Sequence, residues 1–170
     1  MKLVVAVDKE WGIGNKGELL ARVRADLINF RKLTENHTVI LGSKTLATFP
    51  GGRPLKNRTN IVLSRNRELF IEGALVVHSI DELFEKLKGQ DTNDIYVIGG
   101  ATVYGELLPY CDTAYVTKFH KSYEKDALIE DLDVSEEWLL CEESEPMVSN
   151  PETDSEGDLR FSFCTYRKIK

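Results

Sequence analysis

Short apolar runs alternate with amphipathic segments along most of the chain. The runs are rich in β-branched and aromatic residues, and we interpret them as strands over residues 3–7, 38–41, 60–64, 74–77, 94–98 and 113–119. Apolar positions at helical spacing predict helices over residues 26–33, 44–49, 80–87 and 102–108. Several of the strands are apolar without interruption, which is typical of parallel strands covered on both faces. The alternation of strands and helices predicts an α/β fold.

The pattern changes in the last third of the chain. Residues 138–143 and 160–168 have the character of strands, and the segment 142–158 that joins them is acidic, rich in turn residues and without a helical pattern. Two such strands predict an antiparallel hairpin. We therefore expect a single-domain α/β fold over residues 1–170, with a mostly parallel central sheet of about eight strands, an antiparallel C-terminal hairpin and helices on both faces.

Composition and charge narrow the range of partners. The 170 residues are 42% hydrophobic and 29% charged, as in ordinary globular proteins, and the net charge of −6 disfavours nucleic acids and anionic membranes as partners. The first apolar run is too short for a signal peptide or a membrane span, so we expect a cytoplasmic protein. Three cysteines and three histidines are scattered without ligand spacing, which predicts neither disulfides nor a metal site.

Two nucleotide-binding motifs are suggested by glycines but are incomplete. Gly12, Gly14 and Gly17 form a G-x-G-x-x-G pattern, yet no helix begins within it and no acidic residue ends the second strand, so it does not predict a Rossmann site. We expect these glycines to form a flexible loop near the edge of the sheet. The sequence Gly-Ser-Lys-Thr at 42–45 is no P-loop, because position 37 is His37 instead of glycine.

Three predicted strand ends carry groups that suit phosphates. One strand runs through Gly42 into Lys44, another ends at Ser64 and Arg65, and a third ends at the glycine pair that begins with Gly99. In open α/β sheets, ligands lie beyond the carboxyl ends of the strands. The three strand ends together predict a long anionic cofactor lying across that edge.

Asp26 lies beside the apolar stripe of the first predicted helix. An aspartate near the start of a helix is favoured as a cap or first-turn acid. Alternatively, its carboxylate lies at the floor of a pocket walled by Leu27, Phe30 and Phe49, where it would seek an N–H partner. Local sequence alone leaves both interpretations open.

Six short motifs follow one another along the chain: Gly-Ile-Gly at 12–14, Asp-Leu-x-x-Phe at 26–30, Val-Ile-Leu-Gly-x-Lys-Thr at 39–45, Arg-Pro-Leu-x-x-Arg-x-Asn-Ile-Val-Leu-Ser-Arg at 53–65, Ile-Gly-Gly-Ala-x-Val-Tyr at 98–104 and Tyr-Val-Thr at 115–117. In this order they resemble the dihydrofolate reductase family over nearly the whole chain. The resemblance implies that a monomer reduces 7,8-dihydrofolate to tetrahydrofolate by hydride transfer from NADPH.

The resemblance also assigns roles by position. It implies that Asp26 binds the pterin and promotes its protonation, with Thr117 as its hydroxyl partner and Tyr104 as an aromatic hydroxyl near the nicotinamide. The implied substrate-binding residues are Val4, Val5, Ala6, Leu27, Phe30, Phe49, Arg53, Leu55 and Arg58. The implied cofactor-binding residues are Ala6, Ile13, Gly14, Gly17, Leu19, Gly42, Lys44, Thr45, Leu63, Ser64, Arg65, His78, Ile98, Gly99, Gly100, Ala101, Thr102, Val103 and Tyr104.

The chain departs from the family pattern just before the first helix. Most members read Leu-Pro-Trp-x-Leu-Pro-x-Asp, whereas residues 19–26 read Leu-Leu-Ala-Arg-Val-Arg-Ala-Asp. Ala21 replaces the tryptophan, Leu20 and Arg24 replace the prolines, and Ser43 replaces a common basic residue. Two alternatives therefore stay open, namely a reductase of another pterin or of a riboflavin precursor, and a folate- and NADPH-binding protein without catalysis.

Overall fold

The computed structural model describes residues 1–169. The strands are β1 (Lys2–Val7), β2 (Gly12–Asn15), β3 (Glu18–Leu19), β4 (Thr38–Gly42), β5 (Thr59–Leu63), β6 (Ala74–Val77), β7 (Ile95–Gly99), β8 (Thr113–Phe119), β9 (Ala127–Leu128), β10 (Trp138–Glu143), β11 (Met147–Val148) and β12 (Arg160–Lys168). The helices are α1 (Arg24–Thr34), α2 (Ser43–Leu46), α3 (Ile80–Leu87) and α4 (Ala101–Leu107). Every strand and helix predicted above is present in this set.

Eight strands of the central sheet follow the order β10-β12-β8-β1-β7-β4-β5-β6, and a ninth, β11, pairs with β12 beside that path. Six neighbouring strands, from β8 to β6, are parallel, whereas β12 runs antiparallel to both β8 and β10. The predicted mixed sheet with an antiparallel C-terminal hairpin is thus confirmed. The carboxyl ends of all six parallel strands lie along one edge, where the cofactor was expected.

The alternation of apolar side chains builds a core on each face of the sheet. Leu3 and Val5 of β1 belong to a buried cluster that also contains residues of α3 and α4. Val4 points to the other face, into a cluster that includes residues of α1 and α2. The prediction of helices on both faces is therefore confirmed.

Two predictions about local structure were wrong, and one short strand was not predicted. The glycine segment expected to be a loop is strand β2, because it pairs with β3 and with the distant β9 in a small second sheet. Helix α2 is a single turn, shorter than expected, because Phe49 is extended before Pro50. Strand β11 lies within the acidic segment, where its two residues pair with β12. Each difference comes from pairing or chain geometry that hydrophobic periodicity does not record.

No helix among residues 1–169 is both long enough and apolar enough to span a membrane.

Candidate active site

Asp26 and Thr117 form a hydrogen-bonded pair between α1 and β8. Asp26 is the third residue of α1, and Thr117 lies opposite Ala6 of β1. The Thr117 hydroxyl donates to Asp26 Oδ1 over 2.6 Å, and Thr117 is buried. The carboxylate is thereby directed toward the sheet instead of the helix backbone, so the pocket interpretation of Asp26 describes its side chain better than the cap interpretation.

The surroundings of Asp26 favour its neutral form. Burial raises the pKa of this carboxyl above its ordinary value, and the hydrogen bond from Thr117 lowers the pKa in opposition. Within residues 1–169, no lysine, arginine or histidine forms an ion pair with it. A carboxyl group in this setting accepts or shares a proton with an N–H donor that enters the site.

An apolar wall lies beside Asp26. Phe30, Phe49 and Leu55 are partly buried and pack against the cluster that contains Val4. Leu27 is 44% exposed, which leaves one side of its chain open to a ligand. The structure thus brings together the predicted aromatic and aliphatic positions from three separate segments of the chain.

Arg58 lies at the opposite end of α1 from Asp26. Its Nε donates to Thr34 Oγ1 over 3.2 Å and its NH1 to the Lys56 carbonyl over 2.8 Å, which fixes the plane of the guanidinium. Burial lowers the pKa of Arg58, but an arginine keeps its charge at any physiological pH. Eight residues of helix separate Asp26 from Thr34, roughly 12 Å. The two charged groups are therefore spaced for an elongated ligand.

Two predicted substrate residues lie elsewhere. Val5 points to the face of β1 opposite to Val4 and lines the large cleft described next. Arg53 is exposed, and its side chain lies beside Gly51. Neither side chain joins the apolar wall around Asp26.

A cleft of about 930 Å³ crosses the carboxyl edge of the sheet. All the predicted cofactor residues line it: Ala6, Ile13, Gly14, Gly17, Leu19, Gly42, Lys44, Thr45, Leu63, Ser64, Arg65, His78, Ile98, Gly99, Gly100, Ala101, Thr102, Val103 and Tyr104. They lie at the carboxyl ends of β1, β4, β5, β6 and β7, directly after those ends, or in the segment around β2 and β3. A volume of this size suits a ligand as large as a dinucleotide.

The floor of the cleft is formed by backbone at the end of β7. Gly99 has φ of 133°, in a region that favours glycine, and a Cβ there would lie 3.4 Å from the Tyr104 hydroxyl oxygen. A Cβ on Gly100 would lie only 3.0 Å from Thr45 Oγ1. Glycine at both positions lets a ligand approach the main chain closely.

Tyr104 has a structural partner inside the protein. Its hydroxyl donates to the Val4 carbonyl over 2.6 Å, and burial raises its pKa, so it stays protonated. The side chain therefore joins the floor of the cleft to the middle of β1. The structure shows this hydroxyl engaged with the backbone, so the catalytic role predicted for it stays a prediction.

Some residues of the cleft were not predicted from the sequence: Glu18, Ser43, Thr48, Ser79, Ile80, Glu106, Asp126 and Ala127. Ser79 and Ile80 follow the end of β6, so the strand-end rule applied to β6 would have found them. Asp126 enters through long-range pairing, since its N–H donates to the Gly14 carbonyl and its Oδ2 accepts from the Lys16 N–H. No local signal in the sequence indicates that contact.

The position that carries tryptophan in most relatives is part of the core here. Ala21 is buried with Val23, Phe119, Leu159 and Phe161 in a third apolar cluster. The segment before α1 is thus held by packing on the last strands of the sheet and on the loop that precedes β12.

Comparison with known proteins places the chain among reductases. The sequence model of the family "Dihydrofolate reductase" matches residues 1–168. The dihydrofolate reductase of Bacillus subtilis is 32% identical over 168 residues, covering 99% of this chain and 94% of the relative. That of Heliothis virescens is 30% identical over 184 residues, covering 99% and 97%. Dihydrofolate reductase from Enterococcus faecalis, solved in complex with NADP(H), superposes with a TM-score of 0.85 at 31% identity, covering 99% of this chain and 96% of that one.

Proposed function

Because the chain belongs to the dihydrofolate reductase family, we propose that it reduces 7,8-dihydrofolate to 5,6,7,8-tetrahydrofolate by hydride transfer from NADPH. The observation that carries this proposal is the Asp26–Thr117 pair, in which a carboxyl group of raised pKa is held 2.6 Å from its only hydroxyl partner among residues 1–169. A reductase of a pterin needs such a group, because a ring nitrogen must gain a proton when the neighbouring carbon gains hydride.

Asp26 is proposed to bind the pterin and to promote its protonation. Its second oxygen is free of the Thr117 bond and is available to amino and ring N–H groups of the substrate. Leu27, Phe30, Phe49 and Leu55 would then enclose the pterin and the benzoyl ring, with Val4 and Ala6 beneath them. Val5 stays a prediction, because it points to the other face of β1. Arg58 would pair with the α-carboxylate of the glutamate tail, while Arg53 stays a prediction without a contact that supports it.

The cleft fits NADPH in size and in chemistry. When bound, this cofactor supplies the hydride. Lys44 and Arg65 offer positive charges to its phosphates, and Thr45 and Ser64 offer hydroxyls. The two positive charges favour NADPH over NADH, because only NADPH carries a phosphate on its adenosine ribose. The uncovered backbone at Gly99 and Gly100 would hold the pyrophosphate, and the segment of β2 would order the nicotinamide and exclude water.

The two alternatives raised by the sequence are not favoured. Arg58 is held by two hydrogen bonds with its charge intact, which gives a glutamate tail a partner that a riboflavin precursor does not need. Family membership extends over residues 1–168, and the carboxyl–hydroxyl pair is complete despite the absence of the tryptophan. We further propose that residues 1–170 act as one domain, as a monomer, in the cytoplasm.

Asp26→Asn tests the central role. The variant is expected to lower kcat/KM by about 10²- to 10⁴-fold at neutral pH, since proton donation to the ring nitrogen is lost. The measurement is NADPH oxidation, followed by absorbance, with dihydrofolate as substrate. Full activity in the variant would disprove the role of Asp26, and absence of turnover by the natural protein would disprove the function itself.

The stability of the same variant provides the control for folding. Burial raises the pKa of Asp26 above its value in the unfolded chain, so ionisation destabilises the folded state once the pH rises above that unfolded value. Asparagine keeps an acceptor for Thr117 and carries no charge. The variant is therefore expected to be at least as stable as the natural protein at neutral pH, with Tm unchanged or raised by about 2–4 °C.

A further inference from the structure

Helix α1 lacks a cap from its own sequence. Its N-cap residue is Val23, whose apolar side chain accepts no hydrogen bond. The helix α3 shows the ordinary arrangement, in which Ser79 Oγ accepts from the Glu82 N–H over 3.0 Å. The helix that carries Asp26 therefore begins with backbone donors that need partners from elsewhere in the chain.

Asp154 supplies one of these partners from the loop before β12. Its Oδ1 accepts from the backbone N–H of Arg24, the first residue of α1, over 2.8 Å. The two residues are 130 positions apart, so this is a cap provided by a different part of the fold. A carboxylate in this place also interacts favourably with the helix dipole, and the hydrogen bonds lower the pKa of Asp154.

The carboxylate of Asp154 is itself held in place. Its Oδ2 accepts from the Asn150 N–H over 2.7 Å, and its own N–H donates to the Asn150 carbonyl over 2.9 Å. Next to it, Ser155 exchanges two hydrogen bonds with the backbone of Arg22, at 2.9 and 2.8 Å. The loop thus forms hydrogen bonds with the residues on both sides of Val23, at the N-terminus of the helix.

Arg24 makes this contact possible. A proline at position 24 has no N–H and cannot donate to Asp154. The backbone at position 24 would otherwise accommodate proline, because proline is favoured in the first turn of a helix. Val23 also has the extended conformation that a residue before proline adopts, with φ −122° and ψ 122°. Arginine instead of proline at this position therefore gains one specific hydrogen bond and gives up the preset backbone.

We propose that Asp154 is a positioning residue of the active site. From the loop before β12 it caps α1 and thereby holds Asp26 against Thr117. Asp26 lies two residues after Arg24 in the same helical turn, and Thr117 lies on the fixed strand β8. Loss of the cap frays the turn that carries the carboxyl group, while the cofactor cleft, built on other elements, stays intact. This inference rests on the proposed role of Asp26.

A double-mutant cycle between positions 24 and 154 tests the proposal. Asp154→Ala is expected to lower kcat for dihydrofolate by about 2- to 30-fold, the range for loss of one helix cap, with the KM for NADPH unchanged. Arg24→Pro removes the same hydrogen bond and is expected to lower kcat by a smaller factor, still about twofold, because proline restores only part of the order of the turn. In the Arg24→Pro background, Asp154→Ala then has no further effect.

Two other variants complete the design. Asp154→Asn retains an acceptor and is expected to recover most of the activity lost in Asp154→Ala. Glu152→Ala removes an exposed carboxylate from the same loop. Its kcat is expected to match that of the natural protein. Unchanged kcat in Asp154→Ala, or an equal loss in both backgrounds, would overturn the proposal. If Asp154→Ala fails to fold, the comparison of Arg24→Pro with the natural protein still decides, since an unchanged kcat there contradicts a role for the bond.

Hydrogen exchange separates this inference from the proposed function. The amide protons of Arg24, which is bonded to Asp154, and of Leu27, which is bonded to the Val23 carbonyl, are followed by NMR. They are expected to exchange about 2- to 30-fold faster in Asp154→Ala than in the natural protein or in Glu152→Ala. Unchanged exchange contradicts the cap whatever the enzyme turns over. Faster exchange in a protein without dihydrofolate turnover would support the cap and reject the function.

Discussion

The two halves of the proposed site, a cofactor cleft and a substrate side, are built in different ways. The cofactor cleft consists mainly of backbone and short side chains at the ends of β4, β5, β6 and β7, so the course of the sheet determines its shape. The substrate side depends on side chains from α1, β8 and the loop before β5, and their positions rely on individual hydrogen bonds such as the one between Thr117 and Asp26.

The difference predicts how each half responds to substitution. A change at the cofactor side alters backbone geometry and therefore affects stability and binding together. A change at the substrate side removes one interaction and leaves the fold intact, so it affects one kinetic parameter. Asp154 belongs to the second kind, although it lies in neither half, because it acts on the substrate side through the helix that carries Asp26.

On the cofactor side, the largest effect is expected from Gly99→Ala. A side chain at φ 133° is strained, and its Cβ would crowd the Tyr104 hydroxyl at 3.4 Å. We expect a loss of about 1–3 kcal/mol in the free energy of unfolding and a fall of about 100-fold in kcat/KM for NADPH. Chemical denaturation and steady-state kinetics measure the two quantities.

Gly105→Ala is the matched control for Gly99→Ala. Gly105 lies in α4, and a Cβ there meets no atom within 4 Å. Alanine is expected to stabilise the helix by about 0.5–1 kcal/mol without altering kinetics. If Gly99→Ala were as harmless as Gly105→Ala, the cleft would not depend on uncovered backbone, and the contrast between the halves would fail.

The sequence located the residues of the large cleft more completely than those of the apolar wall around Asp26. Strands ending in Gly42, Ser64 or Gly99 are visible as local motifs, and the rule that parallel strands share one carboxyl edge brings them together without any knowledge of tertiary contacts. For the same reason the fold class was predictable, because hydrophobic period alone defines most strands and helices. The family resemblance then supplied names for positions that the motifs already marked, and family membership is confirmed.

What escaped prediction depends on pairings between distant segments. The contact of Asp126 with Gly14, the capping of Arg24 by Asp154 and the bond from the Tyr104 hydroxyl to the Val4 carbonyl each join residues 100 or more positions apart. Strand β2 was missed for the same reason, since one of the two strands with which it pairs is the distant β9. Local propensity does not contain these contacts.

A smaller effect, confined to the substrate side, is expected from Arg58→Ala. Loss of a charged hydrogen-bonding partner for the glutamate tail should raise the KM for dihydrofolate by about 10- to 100-fold and leave the KM for NADPH unchanged. Lys56→Ala is the control, because it removes a nearby exposed cation but keeps the carbonyl that accepts from Arg58. An equal rise in both KM values would show that Arg58 supports the fold instead of the substrate.

The smallest effect is expected from Thr117→Val, which removes one hydroxyl from the buried pair. The hydroxyl stabilises the ionised form of Asp26, so its loss raises the pKa of Asp26 further. If turnover requires the protonated carboxyl, the alkaline limb of the pH–rate profile moves to higher pH, and rates on that limb rise relative to the maximum by about two- to tenfold.

Thr113→Val is the control, since this buried threonine at the start of β8 donates to Asp112 and not to Asp26. A profile that moves to lower pH, or moves equally in both variants, would contradict the pairing of Thr117 with the proton donor. A shift in Thr117→Val alone, at constant KM for NADPH, would show that one hydroxyl tunes the chemistry of the substrate side without disturbing the cleft beside it.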